Sequence, residues 1–172
     1  MRNTHASLNA AALIITLQLL GGCGSGRTLV ADTPRQQAKT VSHVVIERVA
    51  NTVQVPDEAE QDFEKNLRTR LYEKAGFKEG NELRIRYRFV QFDPGNQFSR
   101  WFWGGLGNTG EGSLTIEATF LDESGSQLST IQAQGSINSG FFGGSFSLAI
   151  DKAAQEIAEY TVANFRVAPA VP

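Results

Sequence analysis

Cysteine and histidine are almost absent from this chain. Cys23 is the single cysteine, and His5 and His43 are the two histidines among 172 residues. One cysteine excludes an internal disulfide, and a structural zinc site made of Cys and His needs four such ligands. The sequence therefore predicts no metal site and no disulfide, and it contains no motif that predicts a cofactor.

A strong charge of one sign and a long apolar run are also missing. The 16 basic and 18 acidic residues give a formal net charge of −2 at pH 7, which disfavours nucleic acid or anionic lipid as the main partner. The apolar run of residues 10–20, AAALIITLQLL, is shorter than the about 20 residues of a membrane-spanning helix. It follows a polar head whose only charge is Arg2, so residues 1–22 are predicted to be a cleaved signal peptide.

The end of this run resembles the lipobox of bacterial lipoproteins. Leu20, Gly21, Gly22 and Cys23 stand in the lipobox order, in which the cysteine thiol accepts a diacylglycerol before cleavage. The alternative is an ordinary secretory signal with an unrelated cysteine. With a lipobox, the acyl chains on Cys23 anchor the mature protein to a membrane. The residue after the cysteine is Gly24 and not Asp, a pattern that predicts the outer membrane, with the domain facing the periplasm.

The mature chain is predicted to contain a single folded domain. Residues 23–40 are polar with little periodicity and predict a lipidated cysteine followed by a flexible tether, reaching roughly 20–25 Å. Residues 41–166 then form one globular domain, which is long enough to bury a core. Residues 167–172 are predicted to be a flexible tail.

Hydrophobic periodicity predicts the first two elements of the domain. Residues 42–49 are rich in β-branched side chains and predict a strand. Asp57, with Glu60 three positions later, predicts the capping box of a helix. Gly76 is predicted to end that helix, because glycine adopts the left-handed conformation at helix ends.

The remaining elements complete a two-layer domain. Residues 83–89 and 114–120 alternate strictly between apolar and polar side chains, which predicts half-buried strands. The turn at residues 122–126 joins the second of these to a further strand in a hairpin, and residues 147–165 predict a second helix. The predicted fold class is α/β, as an α+β two-layer sandwich in the order β-α-β-β-β-α. Its four-stranded, mostly antiparallel sheet would carry two helices on one face.

The segment WFWGGLGNTGEG contains Gly105, Gly107 and Gly110 at the spacing of a dinucleotide fingerprint. A phosphate-binding loop of that kind leads into a helix whose amino terminus holds the phosphate. These glycines lead instead into SLTIEATF, which alternates like a strand. The sequence therefore predicts no nucleotide site.

Aromatic side chains stand beside these glycines. Together, two tryptophans and a phenylalanine present roughly 450–600 Å² of surface, and monomers seldom leave so large an apolar patch uncovered. The alternative to an exposed patch is a small core that caps the end of the sheet. We predict a contact surface for an envelope protein, a second copy or the lipid interface, made of Trp101, Phe102, Trp103, Leu106, Phe141 and Phe142.

Catalytic motifs are incomplete. The sequence GGSFS around Ser145 nearly matches a nucleophile elbow, and His43 is the histidine left after signal cleavage. Ser147 replaces the final glycine of the elbow, and His43 precedes the serine instead of following it. A helix cap is the simpler role for either serine. We predict a non-enzyme without catalytic residues, with a small serine hydrolase acting on envelope material as the alternative.

A row of arginines is the remaining candidate site. Arg84, Arg86 and Arg88 lie on one face of a predicted strand, spaced about 7 Å apart. They are candidates for binding an anionic envelope polymer, such as lipopolysaccharide core. The simpler interpretation is a solvated sheet face, with the arginines paired to Glu117 and other carboxylates across the ladder.

These features together resemble a family of bacterial lipoproteins classified as domain of unknown function 4410. The resemblance is carried by the lipobox, by Arg100 and Trp101 before a glycine-rich segment, by the GEGS and SGFFGG motifs and by an Ala-rich final helix. It covers most of residues 83–165 and implies an envelope lipoprotein with no assigned activity. The predicted function is that of a lipid-anchored, non-catalytic assembly or accessory factor that acts by contact.

Overall fold

The computed structural model describes residues 24–32, 40–93, 112–137 and 146–166. Their strands and helices are, in chain order, β1 (Gly24–Asp32), β2 (His43–Arg48), α1 (Asp57–Arg68), a π-helical segment (Thr69–Lys74), β3 (Lys78–Glu79), β4 (Leu83–Asp93), β5 (Gly112–Asp122), β6 (Gln127–Ile137) and α2 (Phe146–Phe165). The strands form one sheet in the order β1-β6-β5-β4-β2-β3. The neighbours from β1 to β4 are antiparallel, whereas β4, β2 and β3 run parallel.

The prediction of a mixed α+β domain with a sheet and two helices is confirmed, but the predicted number of strands is wrong. The described sheet has six strands and not four. β3 has two residues, too few to show any periodicity. β1 lies in the segment predicted as a tether and pairs with β6 from Gly24 opposite Ile137 to Asp32 opposite Thr130. As an edge strand, β1 is held by backbone pairing on one side, which places weak demands on side-chain alternation.

The core lies between the inner face of the sheet and the two helices. Tyr87 and Phe89 of β4 contact Phe63 of α1, with ring centroids 4.9 and 5.6 Å apart. Phe120 of β5 stacks on Phe165 at the end of α2, with centroids 5.2 Å apart. Burial raises the pKa of the Tyr87 hydroxyl. The inner-face positions predicted from alternation are all buried, namely Leu83, Ile85, Tyr87, Phe89, Leu114, Ile116, Ala118 and Phe120.

The predicted capping box at the start of α1 is wrong. Pro56 occupies the N-cap position, and no side chain caps the helix there. Glu60 turns instead toward β2, where its carboxylate accepts hydrogen bonds from Arg48 and from the Asn51 amide. A cationic partner and an amide donor outside the helix thus replace the backbone N–H that a capping box would offer.

The predicted end of the first helix is confirmed. α1 continues through the π-helical segment to Lys74, and Gly76 follows with a φ of +71°. Glycine adopts this left-handed conformation without the steric cost of a Cβ. Within the described part of the chain, neither α1 nor α2 is both long and apolar enough to cross a bilayer.

Candidate functional site

The predicted site residues fall into two groups. The arginine row lies on β4, within the described residues. The predicted lipidation site and the whole aromatic contact surface lie outside the described residues, namely Cys23, Trp101, Phe102, Trp103, Leu106, Phe141 and Phe142. The strand ends that flank these residues are described, however, and they show where the corresponding segments join the sheet.

One end of the sheet, here called the Gly24 end, collects these junctions. Gly24 is opposite Ile137 in the β1–β6 ladder, and Ile137 is opposite Gly112 in the β5–β6 ladder. In the next strand, Asp93 of β4 is opposite Ser113. Residues 94–111 connect Asp93 to Gly112, and residues 138–145 follow Ile137. The predicted lipidation site and both aromatic segments are therefore attached at the same end of the sheet.

The arginine row is paired with carboxylates on neighbouring strands. Glu47 of β2 serves two arginines, with Arg84 Nε 2.8 Å from its Oε1 and Arg86 Nε donating to its Oε2 at 2.9 Å. Arg88 donates from Nε and Nη2 to Glu117 Oε1, at 2.9 and 2.6 Å. Each arginine thus has a carboxylate partner, as expected for charged residues opposite each other on a solvated sheet face. Binding of an anionic polymer to this row stays a prediction.

A β-bulge in β4 changes which side chains face outward near the Gly24 end. The register shifts by one residue at Val90, so that Gln91 is opposite Thr115. Strict alternation would direct Phe92 outward, whereas the bulge turns it into the core, 6.5 Å from Phe89 between ring centroids. A bulge re-aims the side chains that follow it, and here it brings the Gln91 amide to the outer face.

Beside this bulge the outer face contains a polar cavity of about 410 Å³, here called the Arg27 cavity. Thr115 Oγ1 donates to Gln91 Oε1 at 3.2 Å, and Gln91 Nε2 lies 3.5 Å from Ser113 Oγ. Register places Arg27 of β1 opposite Gln134 of β6, which is opposite Thr115. The cavity is lined by Arg27, Gln91, Ser113, Leu114, Thr115, Gln134, Gly135 and Ser136.

Sequence reasoning missed the Arg27 cavity for an identifiable reason. Arg27 lies in the segment that the sequence predicts as a tether, and Gln91 follows the strictly alternating part of β4. The β-branched and aliphatic run Thr28-Leu29-Val30 was a weak signal for β1. The phase break between Phe89 and Phe92 was a signal for the bulge, because both are aromatic and three residues apart.

The described residues do not assemble the groups of the alternative hydrolase. Ser145 lies outside them, next to the first residue of α2. His43 is near the opposite end of that helix, because the Val41 N–H donates to the Phe165 carbonyl at 2.8 Å. The 20 residues of α2 span roughly 30 Å. Among the described residues, moreover, no three His, Cys, Asp or Glu side chains come together as possible metal ligands.

His43 is paired with a carboxylate, that of Glu82, at the start of β2. Its Nδ1 lies 3.1 Å from Glu82 Oε1. Glu82 also accepts the backbone N–H groups of Ser42 and His43, at 2.7 and 3.0 Å. The hydrogen bond from the Ser42 N–H, and after it the one from the His43 N–H, hold the pKa of the Glu82 carboxyl below its usual range. Glu82 therefore fixes the start of β2, and nothing in this contact activates a nucleophile.

Comparison with known families agrees with the resemblance found in the sequence. The model of a family described as Domain of unknown function (DUF4410) matches residues 31–140. This range includes α1 and all of the strands from β2 to β6. No curated protein matches the chain.

Several solved structures of bacterial proteins align with this chain. A substituted PelC dodecamer from Paraburkholderia phytofirmans matches with a TM-score of 0.47 and 16% identity, over 84% of this chain and 99% of that chain. The PelC dodecamer from the same organism gives a TM-score of 0.43 with the same identity and coverage. A minor lipoprotein from Acinetobacter baumannii matches with a TM-score of 0.39 and 20% identity, over 72% of this chain and 94% of that chain.

Proposed function

This chain belongs to the DUF4410 family, and we propose that it is a lipid-anchored envelope protein that acts by contact, as an assembly or accessory factor without catalytic activity. We assign the lipid to Cys23 and the protein to the bacterial outer membrane, with the domain on the periplasmic side. The observation that carries the proposal is the position of Gly24, the residue after Cys23, at the sheet end where both aromatic segments join.

The distances at the Gly24 end support this assignment. Adjacent strands lie about 4.8 Å apart, so Gly24 is roughly 10 Å from Gly112, two strands away. Asp93, on the next strand, is then within roughly 15 Å of Gly24. A lipid on Cys23 therefore holds the points where residues 94–111 and 138–145 leave the sheet close to the membrane surface. This proximity favours a role of the aromatic segments at or near the lipid interface.

The start of β1 also restricts the orientation of the domain. β1 begins at Gly24, directly after Cys23, and its ladder with β6 is continuous as far as Val30. No flexible spacer then separates the acyl chains from the sheet. An anchor attached in this way presents the Gly24 end to the membrane, instead of letting the domain rotate freely on a tether.

The anchor is tested by Cys23→Ala. We expect the variant to lose metabolic labelling with an alkynyl palmitate and to accumulate as an uncleaved precursor in the inner membrane. The reason is that lipoprotein-type cleavage follows acylation of this thiol. Ser25→Ala, two residues away, is the control and should be labelled and cleaved normally. Normal maturation of Cys23→Ala, with retention in the outer membrane, would contradict the lipid assignment.

The contact role is tested by Trp101→Ser combined with Trp103→Ser. Aromatic side chains dominate binding hot spots, so the double variant should lose the crosslinks that the wild-type protein forms in intact envelopes. Its free energy of unfolding should change by no more than about 1 kcal/mol. Leu29→Ser, which alters an exposed apolar side chain on β1 (43% exposed), is the control and should keep the crosslinks. An unfolded double variant would instead identify the two tryptophans as core residues.

A further inference from the structure

We propose that the Arg27 cavity binds an anionic, hydroxyl-rich group, of the kind presented by a sugar that carries one carboxylate or phosphate. The inference goes beyond the proposed function and does not depend on lipidation of Cys23. It rests on the charge, the hydrogen-bonding groups and the size of the cavity.

The described part of the outer face carries four arginines, Arg27 on β1 and three on β4. Arg84, Arg86 and Arg88 each have a carboxylate within ion-pair distance. Arg27, by contrast, forms no ion pair with any of the described residues, and it is exposed. A guanidinium presents planar, paired N–H donors that fit a carboxylate or a phosphate. Of the four arginines in this described part of the outer face, Arg27 is therefore the one whose charge is available to a ligand.

The other polar groups of the cavity fit hydroxyls. Two amides, Gln91 and Gln134, and three hydroxyls line it, and groups of both kinds can donate and accept hydrogen bonds. Thr115 is 5% exposed, and its bond to Gln91 fixes the side chain that the bulge turned outward. No Asp or Glu is among the described lining residues. Asp93 is opposite Ser113 in the ladder but outside that lining.

The size and the position of the Arg27 cavity limit the kinds of ligand that it can bind. A volume of about 410 Å³ lies in the range of small-molecule sites, about 300–1,000 Å³, which is room for a sugar ring with its substituent. Gln134 and Ser136 lie close to Ile137, the residue of β6 at the Gly24 end. An anionic, hydroxyl-bearing group that reaches this position can belong to a soluble acidic sugar or to the headgroup of a membrane lipid.

The test uses the full-length chain in a neutral detergent, with galacturonate and galactose as matched probes that differ in one carboxylate. We expect galacturonate to bind at least tenfold more tightly than galactose in isothermal titration. Arg27→Gln should abolish that preference, and Gln134→Ala should weaken both sugars by reducing hydrogen bonding to their hydroxyls. Arg86→Gln, which changes an arginine already paired with Glu47, should leave both affinities within twofold.

A second arm distinguishes the two sources. Vesicles of phosphatidylcholine with and without phosphatidylglycerol present the same chemistry as a lipid headgroup. Binding is measured by flotation of wild-type and Arg27→Gln chains produced without residues 1–23, so that no acyl chain contributes to it. Arg27-dependent binding to phosphatidylglycerol vesicles without galacturonate binding supports the site and assigns it to a headgroup. The proposal is overturned if the chain binds neither galacturonate nor phosphatidylglycerol vesicles, if galactose binds as well as galacturonate, or if Arg86→Gln causes the same loss as Arg27→Gln.

Discussion

At the scale of single residues, Glu60 holds together a small, partly buried network between α1 and the strands. The residue is 9% exposed, and its carboxylate accepts hydrogen bonds from Arg48 and the Asn51 amide. The Asn51 side-chain oxygen in turn accepts the backbone N–H of Phe89 at 3.0 Å. Loss of the carboxylate would leave the partly buried Asn51 amide without this acceptor and would remove the ion pair with the half-exposed Arg48. A polar group that loses its partner in this way is costly.

We therefore expect Glu60→Ala to lower the free energy of unfolding by about 1–3 kcal/mol. Asp57→Ala, at the position where the sequence predicted a cap, should cost less than about 0.5 kcal/mol, because the structure shows no side-chain cap there. Equilibrium unfolding in urea measures both values. A larger loss for Asp57→Ala than for Glu60→Ala would restore the capping-box interpretation.

At the scale of secondary-structure elements, the contact of α2 with β6 depends on Gly135. A Cβ built at Gly135 would come within 2.7 Å of the Ala149 carbonyl carbon and closer still to its oxygen. Both are backbone atoms, so relief requires α2 to move away from the sheet. The helix also contacts β1, where Thr28 Oγ1 donates to Glu156. A small residue at one position of β6 thus allows α2 to cover two neighbouring strands.

Gly135→Ala is accordingly expected to destabilise the domain by about 1–3 kcal/mol, the usual cost of overpacking. Gln134→Ala, one residue earlier and on the outer face, is the matched control. It should change the free energy of unfolding by less than about 0.5 kcal/mol. Thermal unfolding followed by circular dichroism compares the two variants. Equal stability of both would mean that α2 does not pack closely against β6 at Gly135.

At the scale of the whole molecule, β1 determines the relative positions of the proposed lipid anchor, the sheet and the Arg27 cavity. It closes one edge of the sheet, supplies Arg27 to the cavity and brings Gly24 to the end of the sheet where the aromatic segments join. A flexible tether in its place would leave β6 as an unpaired edge and remove one wall of the cavity. Exposed edges of that kind invite pairing with other chains.

Deletion of residues 24–32 tests this arrangement. We expect a lower urea midpoint and a lower m-value, because the native state of the shortened chain buries less surface. Deletion of the predicted tail, residues 167–172, is the control and should leave both quantities unchanged. If the β1 deletion also leaves both unchanged, residues 24–32 behave as the tether that the sequence predicted.

The sequence by itself determined the elements whose one face is buried. Alternation in β4 and β5 and the apolar stripes of the helices record burial at every second residue or every turn, so they are visible locally. The edge strand β1 carries a weaker pattern, because one ladder of backbone hydrogen bonds holds it whatever its side chains are.

Only the tertiary structure decided which distant residues meet. The exchange of the capping box for the Arg48–Glu60–Asn51 network depends on how α1 packs against β2. The pairing of Arg84 and Arg86 with Glu47 and the walls of the Arg27 cavity depend on register between strands far apart in sequence. A one-residue change of register moves every side chain of a strand to the other face. Such contacts are therefore fixed by the assembled sheet and not by any single segment.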